Sequence, residues 1–198
     1  SITHELEYKR TIDGNVTLLI ENLKILGGSK GIFAVRNSNL LLNNVQIEDF
    51  GTRGLDVQDS SYFDIGELGV SISGGSEAEY GVFVNAESSG VIHKLSVGSV
   101  EKGINLWNSS VFINELSTIN TDRGILLDLG SQFTVFGEEK PISIVGSITS
   151  GITVWGKSHL TLAEDVILNL SDGSRGIEIG EHSSMVSGGT INISNTSE

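Results

Sequence analysis

A short pattern recurs seven times along this chain: a glycine, an apolar residue, any residue and a second apolar residue. The gaps between successive copies are 23, 27, 22, 21, 27 and 25 residues. Repeats of this length indicate a solenoid, in which each repeat is one unit that stacks on its copies. The repeat glycines are Gly31, Gly54, Gly81, Gly103, Gly124, Gly151 and Gly176.

A serine stands seven residues after each of these glycines. The residue nine positions after the glycine is apolar in six copies, with Gly90 as the exception. We expect the serines to stack in one column at a corner, where a hydroxyl can bond the local backbone. Since no histidine or acid recurs beside them, as a catalytic triad requires, they are predicted to be architectural. The serines are Ser38, Ser61, Ser88, Ser110, Ser131, Ser158 and Ser183.

Within a copy the apolar residues alternate with others, which is typical of strands. The first and third residues after each glycine are apolar in every copy, so they are predicted to face a core, and the second and fourth to face outward. Turn-forming Gly, Asn and Ser separate the short apolar segments. The sequence therefore predicts an all-β, right-handed parallel β-helix of about eight coils with three short strands per coil. Each repeat glycine is expected to take a positive φ or to admit a tight turn.

An eighth, degenerate copy precedes the seven, because residues 15–25 match residues 37–47 at an offset of 22. Residues 1–30 are therefore predicted to form an N-terminal degenerate coil or cap, and residues 31–198 seven coils of the same single domain. The copies that begin at Gly54 and Gly124 run 27 residues. Their extra length is expected to project as loops at 73–79 and 136–141.

The net charge of −13 disfavours nucleic-acid and anionic lipid surfaces as partners. The chain has no cysteine, so it has no disulfide framework and no thiolate metal site. Its longest apolar runs are far below the length of a membrane helix, so we expect no direct membrane insertion. No cofactor motif or metal-ligand spacing is present, and we expect neither a cofactor nor a metal.

Five of the seven residues that immediately precede a repeat glycine are basic. Because the chain has only 12 Lys and Arg residues, five in register predict a cationic seam along one edge of an acidic rod. Such a seam suits a sulfated glycan or an acidic receptor surface, unless neighbouring acids such as Glu101 and Asp122 neutralise it. The seam residues are Lys30, Arg53, Lys102, Arg123 and Arg175.

Four aromatic residues follow the repeat glycines on the outward face. Exposed rings of this kind stack on sugars or anchor a protein interface. The alternative is that a neighbouring loop covers the row or that the rings serve only to tighten the sheet. Together with the seam they form the predicted binding residues. They are Phe33, Phe83, Trp107 and Trp155, and the two tryptophans share one offset two coils apart.

The same face carries Asp56, Asp128 and Glu178, its candidates for paired-carboxylate chemistry. Strand spacing separates Asp56 from Asp128 by about 14 Å and Asp128 from Glu178 by about 11 Å. Glycosidases need carboxylates at most about 9.5 Å apart, so this spacing argues against catalysis. We therefore predict no catalytic residues and a non-enzymatic protein.

Segments 150–162 and 175–193 resemble the pertactin-like passenger domains of bacterial autotransporters. The resemblance implies a passenger that crosses the outer membrane unfolded and folds outside the cell. It would act there as an adhesin or virulence factor that binds a host cell-surface protein or glycan. Phage tailspikes and pectate-lyase-like enzymes share the predicted fold, so a polysaccharide-binding or polysaccharide-cleaving protein is the alternative. A plain spacer is a third hypothesis.

Overall fold

The computed structural model describes residues 11–137 and 141–197. In these ranges the chain forms eighteen strands and no helix. Every strand pairing is parallel, and each segment pairs with its counterpart in the next turn of the chain. The result is an all-β solenoid of about eight coils with three strand segments per coil, which confirms the predicted fold class.

The first sheet contains the segments that follow the repeat glycines. It is built from β1 (Thr11–Asp13), β3 (Lys30–Val35), β5 (Arg53–Val57), β8 (Tyr80–Asn85), β13 (Ser150–Val154) and β16 (Ile177–Ile179), with the last residues of β9 (Ser89–Trp107) and β10 (Ser110–Asp128). Strands β9 and β10 each continue around two corners, so they contribute to all three sheets.

The second sheet contains the segments that follow the serine corner. They are β6 (Tyr62–Ile65), β11 (Gln132–Val135), β14 (His159–Leu162), β17 (Ser184–Ser187) and the first residues of β2 (Thr17–Leu26), β4 (Asn39–Phe50), β9 and β10. The third sheet closes each coil. It contains β7 (Val70–Gly74), β12 (Pro141–Val145), β15 (Ile167–Ser171), β18 (Thr190–Ser194), the ends of β2 and β4 and the middle of β9 and β10.

The core is a stack of aliphatic and phenylalanine side chains along the axis of the solenoid. The first and third residues after the glycine are buried in six coils, as the alternation predicts. In the last coil Ile177 is half-buried and Ile179 is 45% exposed, because no described strand covers that end of the stack. Period-two alternation therefore places one face of each strand in the core.

The repeat glycines are required by close packing. None of them has a positive φ, so that part of the prediction is wrong. A Cβ at Gly124 would lie 2.5 Å from Ile144 Cγ2 and 2.6 Å from the carbonyl oxygen of Gly151. The third-sheet side chain of the same coil and the backbone of the next coil thus fill the space that a side chain needs.

The corner after the first sheet corrects the predicted serine column. In six coils two consecutive residues there have positive φ, whereas the coil from Gly103 has only Asn108. That coil is one residue shorter at the corner, so Ser109 and not Ser110 occupies the column. The Ser109 N–H donates to Ser131 Oγ at 3.4 Å, and the Ser61 N–H donates to Ser88 Oγ at 3.2 Å.

The extra length of the coil from Gly54 is divided between two loops. Residues 66–69 separate Ile65 from Val70, whereas only two residues separate their partners Ile92 and Leu95 in the next coil. The rest lies in 74–79, within the predicted loop. The second predicted loop includes 138–140, which lie outside the described residues.

Candidate binding face

The outward face of the first sheet brings all nine predicted binding residues onto one surface. Its first column is the seam, in which Lys30 pairs with Arg53, Tyr80 pairs with Lys102, and Lys102 pairs with Arg123. Ser150 and Arg175 continue this column. The second column holds Phe33, Asp56, Phe83, Asn105, Leu126, Thr153 and Glu178. The third column holds Val35, Gln58, Asn85, Trp107, Asp128, Trp155 and Gly180.

Seam cations and aromatic rings interleave, so the predicted seam and aromatic row form one layer. Lys30 Nζ lies 3.7 Å from the ring centroid of Phe33, and Arg53 Cζ lies 4.1 Å from that of Phe83. Lys102 Nζ lies 4.8 Å from the ring centroid of Tyr80. Such cation–π contacts hold the cations flat against the sheet.

Asp56 neutralises the first two seam cations. Its carboxylate is fully buried, forms ion pairs with Lys30 and Arg53, the latter at 3.0 Å, and accepts a hydrogen bond from Gln58 at 2.6 Å. Buried charges are tolerated when they are paired and hydrogen-bonded in this way. The sequence left open whether acids neutralise the seam, and here the neutralising acid comes from the second column.

The adjoining acids that the sequence singled out behave differently from each other. Glu101 pairs with Lys102, whereas Asp122 accepts a hydrogen bond from Thr149. None of the ion pairs among the described residues involves Arg123. At the far end of the seam, Arg175 forms an ion pair with Glu178, with 3.5 Å between Arg175 Nη1 and Glu178 Oε1.

The four aromatic residues differ in exposure. Phe83 is only 2% exposed, so for this ring the covered alternative applies. Tyr80 and Trp107 pack against it with ring centroids at 5.1 and 5.5 Å, and Arg53 covers its face. Phe33 and Trp107 are half-buried, whereas Trp155 is 39% exposed. Of these four residues, Trp155 thus has the most accessible ring.

Sequence reasoning missed the centre of the face. Asn105 is fully buried, and neither atom of its side-chain amide has a hydrogen-bond partner. Trp107 Nε1 and Arg123 Nε are also buried without a partner. The available signal in the sequence was the position of Asn105 between Phe83 and Leu126 in one outward column. A polar amide between two apolar residues is unusual, since buried polar groups are normally hydrogen-bonded.

Trp155 lies between Asp128 of the preceding coil and Gly180 of the next. A Cβ at Gly180 would lie 3.3 Å from Trp155 Nε1, so the indole lies close against this glycine and a side chain there would crowd it. The corner that follows this strand contains an open groove. The groove is lined by Leu129, Gly130, Gly156, Lys157, Glu181 and His182.

A family model described as the right handed β-helix region matches residues 11–167. This match covers more than half of the chain and agrees with the parallel coils. The chain belongs to the right-handed β-helix family. Comparison with curated proteins and with solved structures gave no match. The β-helix family includes enzymes and non-enzymes, so membership leaves catalysis open.

The carboxylates on this face of the β-helix have structural partners. Asp128 accepts the N–H of Leu129 at 2.7 Å, Glu178 pairs with Arg175, and Asp56 is enclosed by its two cations. Among residues 11–137 and 141–197, no group of three or more His, Asp or Glu side chains is arranged to hold a metal ion. No helix in that part of the chain is long and apolar enough to cross a membrane. The arrangement suits binding by stacking and by charge-assisted hydrogen bonds.

Proposed function

We propose that this β-helix is a secreted or cell-surface bacterial passenger that acts as an adhesin. In this proposal it binds host-cell molecules through the outward face of the first sheet and catalyses no reaction. The resemblance of segments 150–162 and 175–193 to pertactin-like passengers supports the location and the role. The interleaved cations and aromatic rings support the choice of surface.

The accessible indole of Trp155 carries the proposal. A flat ring that is 39% exposed, next to a glycine and a groove, provides a platform for the apolar face of a sugar ring. A protein partner would need a broad, well-packed apolar patch. The other three rings are buried or half-buried, so the face favours a glycan over a protein receptor.

Substitution of this ring tests the proposal. We expect Trp155→Ala to weaken binding to the best ligand of a host-glycan panel about tenfold, because a stacking contact of this size is lost. Phe112→Ala is the matched control, since Phe112 is an aromatic residue 47% exposed on the outward side of the second sheet. Equal binding by the wild type and both variants would contradict the proposal. Antibody labelling of intact producing cells tests the surface location.

Asp128 favours the alternative, a polysaccharide-cleaving β-helix. It is a carboxylate on the same face, directly beside an exposed aromatic ring, and only its Oδ1 caps the backbone. Incubation with a panel of bacterial and host polysaccharides separates the two functions. Release of reducing ends that Asp128→Asn abolishes would establish the enzyme and overturn the adhesin.

A further inference from the structure

Two places on the first-sheet face present the same pair of cations in successive coils. Lys30 pairs in register with Arg53, and Lys102 pairs in register with Arg123. At the first of these positions, Asp56, which lies in the same coil as Arg53, forms ion pairs with both cations. In the second place, the residue at the position of Asp56 is Leu126, as the register shows. The carboxylate that completes the first arrangement is therefore missing from the second.

The cations of the second place are weakly neutralised. Lys102 forms its ion pair with Glu101. The Lys102 side chain is only 14% exposed, but the Glu101 side chain is 49% exposed, so water and salt screen the carboxylate of this pair. Arg123 takes part in none of the ion pairs among the described residues. An external anion therefore meets little competition at this position.

The polar groups around this position are also unsatisfied. Asn105 stands next to Leu126 in the second column, is fully buried, and has a free amide N–H₂ group and a free amide oxygen. Trp107 Nε1 and Arg123 Nε add two more N–H donors without partners. Unpaired buried polar groups cost free energy, so packing alone would favour an apolar residue in place of Asn105. The excess of donors over acceptors matches an anionic oxygen ligand.

We propose that Lys102, Asn105, Trp107 and Arg123 form a binding site for the carboxylate or sulfate group of an acidic glycan. The anion occupies the space over Leu126 and takes the role that Asp56 plays between Lys30 and Arg53. This inference rests on the proposed function and specifies its ligand. The face then holds a glycan by ring stacking at Trp155 and by charge in the space over Leu126. These two contacts lie in successive coils, because Leu126 pairs with Thr153, two residues before Trp155.

Leu126→Asp tests the site by supplying the missing carboxylate from the chain itself. We expect this variant to bind a carboxylated or sulfated glycan at least tenfold more weakly than the wild type, whereas the uncharged control Leu126→Asn stays within threefold. The glycans are presented in three forms: carboxylated, sulfated, and the uncharged parent. The first two forms distinguish the sources of the anion, and the wild type should prefer one of them over the parent at least tenfold.

A second variant covers the case in which Leu126→Asp does not fold, as judged by circular dichroism. Arg123→Gln should lower acidic-glycan binding at least tenfold. Arg36→Gln is the control, because it makes the same change of net charge at a corner arginine that pairs with Asp13 and whose side chain is 66% exposed. This variant should leave binding unchanged.

The outcomes separate this inference from the proposed function. Binding of glycans that depends on Trp155 but is equal for Leu126→Asp and the wild type would overturn the anion site alone. Equal binding of the acidic glycans and their uncharged parent would do the same. Binding of no glycan by the folded wild type would overturn both proposals.

Discussion

Gly90 is paired in register with Phe63 in the second sheet, and the Phe63 ring fills the space where a side chain at Gly90 would lie. A Cβ there would stand 2.1 Å from Phe63 Cε1. The apolar position of one coil thus lacks a side chain because the coil before it carries a phenylalanine there, which is among the largest fully buried residues. This pairing explains the single exception to the apolar pattern nine residues after the repeat glycine.

Gly90→Ala should therefore destabilise the protein by about 1–3 kcal/mol, because overpacking forces the phenyl ring off its rotamer. Chemical denaturation monitored by circular dichroism measures the change. Gly90→Ala combined with Phe63→Leu should recover part of the lost stability, since the smaller side chain leaves room. A double variant no more stable than Gly90→Ala would show that the two residues do not share this space.

The repeat glycines make a second prediction. Gly124→Ala should destabilise by several kcal/mol, because its Cβ would lie 2.6 Å from the backbone oxygen of Gly151, which cannot move without shifting the next coil. Gly98→Ala is the control, since Gly98 lies in β9, lacks a positive φ, and would meet its nearest atom, the Ile119 carbonyl oxygen, at 3.5 Å. Similar unfolding midpoints for the two variants would contradict the close-packing explanation.

Much of the fold was predictable because each coil repeats the same pattern of buried positions. Alternation identifies the buried side of every strand, and the period identifies which residues stack. The position of Ser109 was not predictable by counting from Gly103, because one corner residue is absent there and only Asn108 has a positive φ. Counting along the chain fails wherever a coil loses a residue at a corner.

The binding face was predictable in its columns but not in its contacts. Register alone placed Arg53 and Phe83 on one face. Whether Phe83 is exposed depends on how Arg53 and Trp107 fold over it, which is a matter of side-chain packing between coils. The unpartnered amide of Asn105 follows from the same packing and has no sequence motif.

The corrected serine column can be tested directly. Ser109 is 7% exposed and its hydroxyl donates to the Trp107 carbonyl at 2.9 Å. Ser109→Ala should lower the free energy of unfolding by about 1 kcal/mol, whereas Ser110→Ala, outside the column, should change it by less than about 0.5 kcal/mol. A larger effect at Ser110 than at Ser109 would restore the column expected from sequence.

Asp56 gives a fourth prediction. Asp56→Asn should destabilise the protein by about 3–5 kcal/mol, because Lys30 and Arg53 would lose the buried carboxylate between them. Asp13→Asn removes a carboxylate whose side chain is 41% exposed and which pairs with Arg36, so it should cost at most about 1 kcal/mol. Denaturant titrations of both variants measure the loss in the free energy of unfolding. Equal losses would show that the buried carboxylate of Asp56 stabilises the protein no more than the exposed carboxylate of Asp13.

Asn105 separates stability from binding. Asn105→Leu should raise the free energy of unfolding by about 1 kcal/mol, because two unpartnered polar atoms are replaced by an apolar side chain between Phe83 and Leu126. The same variant should lose acidic-glycan binding, since the amide donor is gone. Asn43→Leu, at a residue outside the first sheet whose Oδ1 accepts the Leu68 N–H at 3.1 Å, should instead lose stability and keep binding. A destabilised Asn105→Leu variant would mean that the amide has a partner within the folded chain and that its position in the sheet is structural.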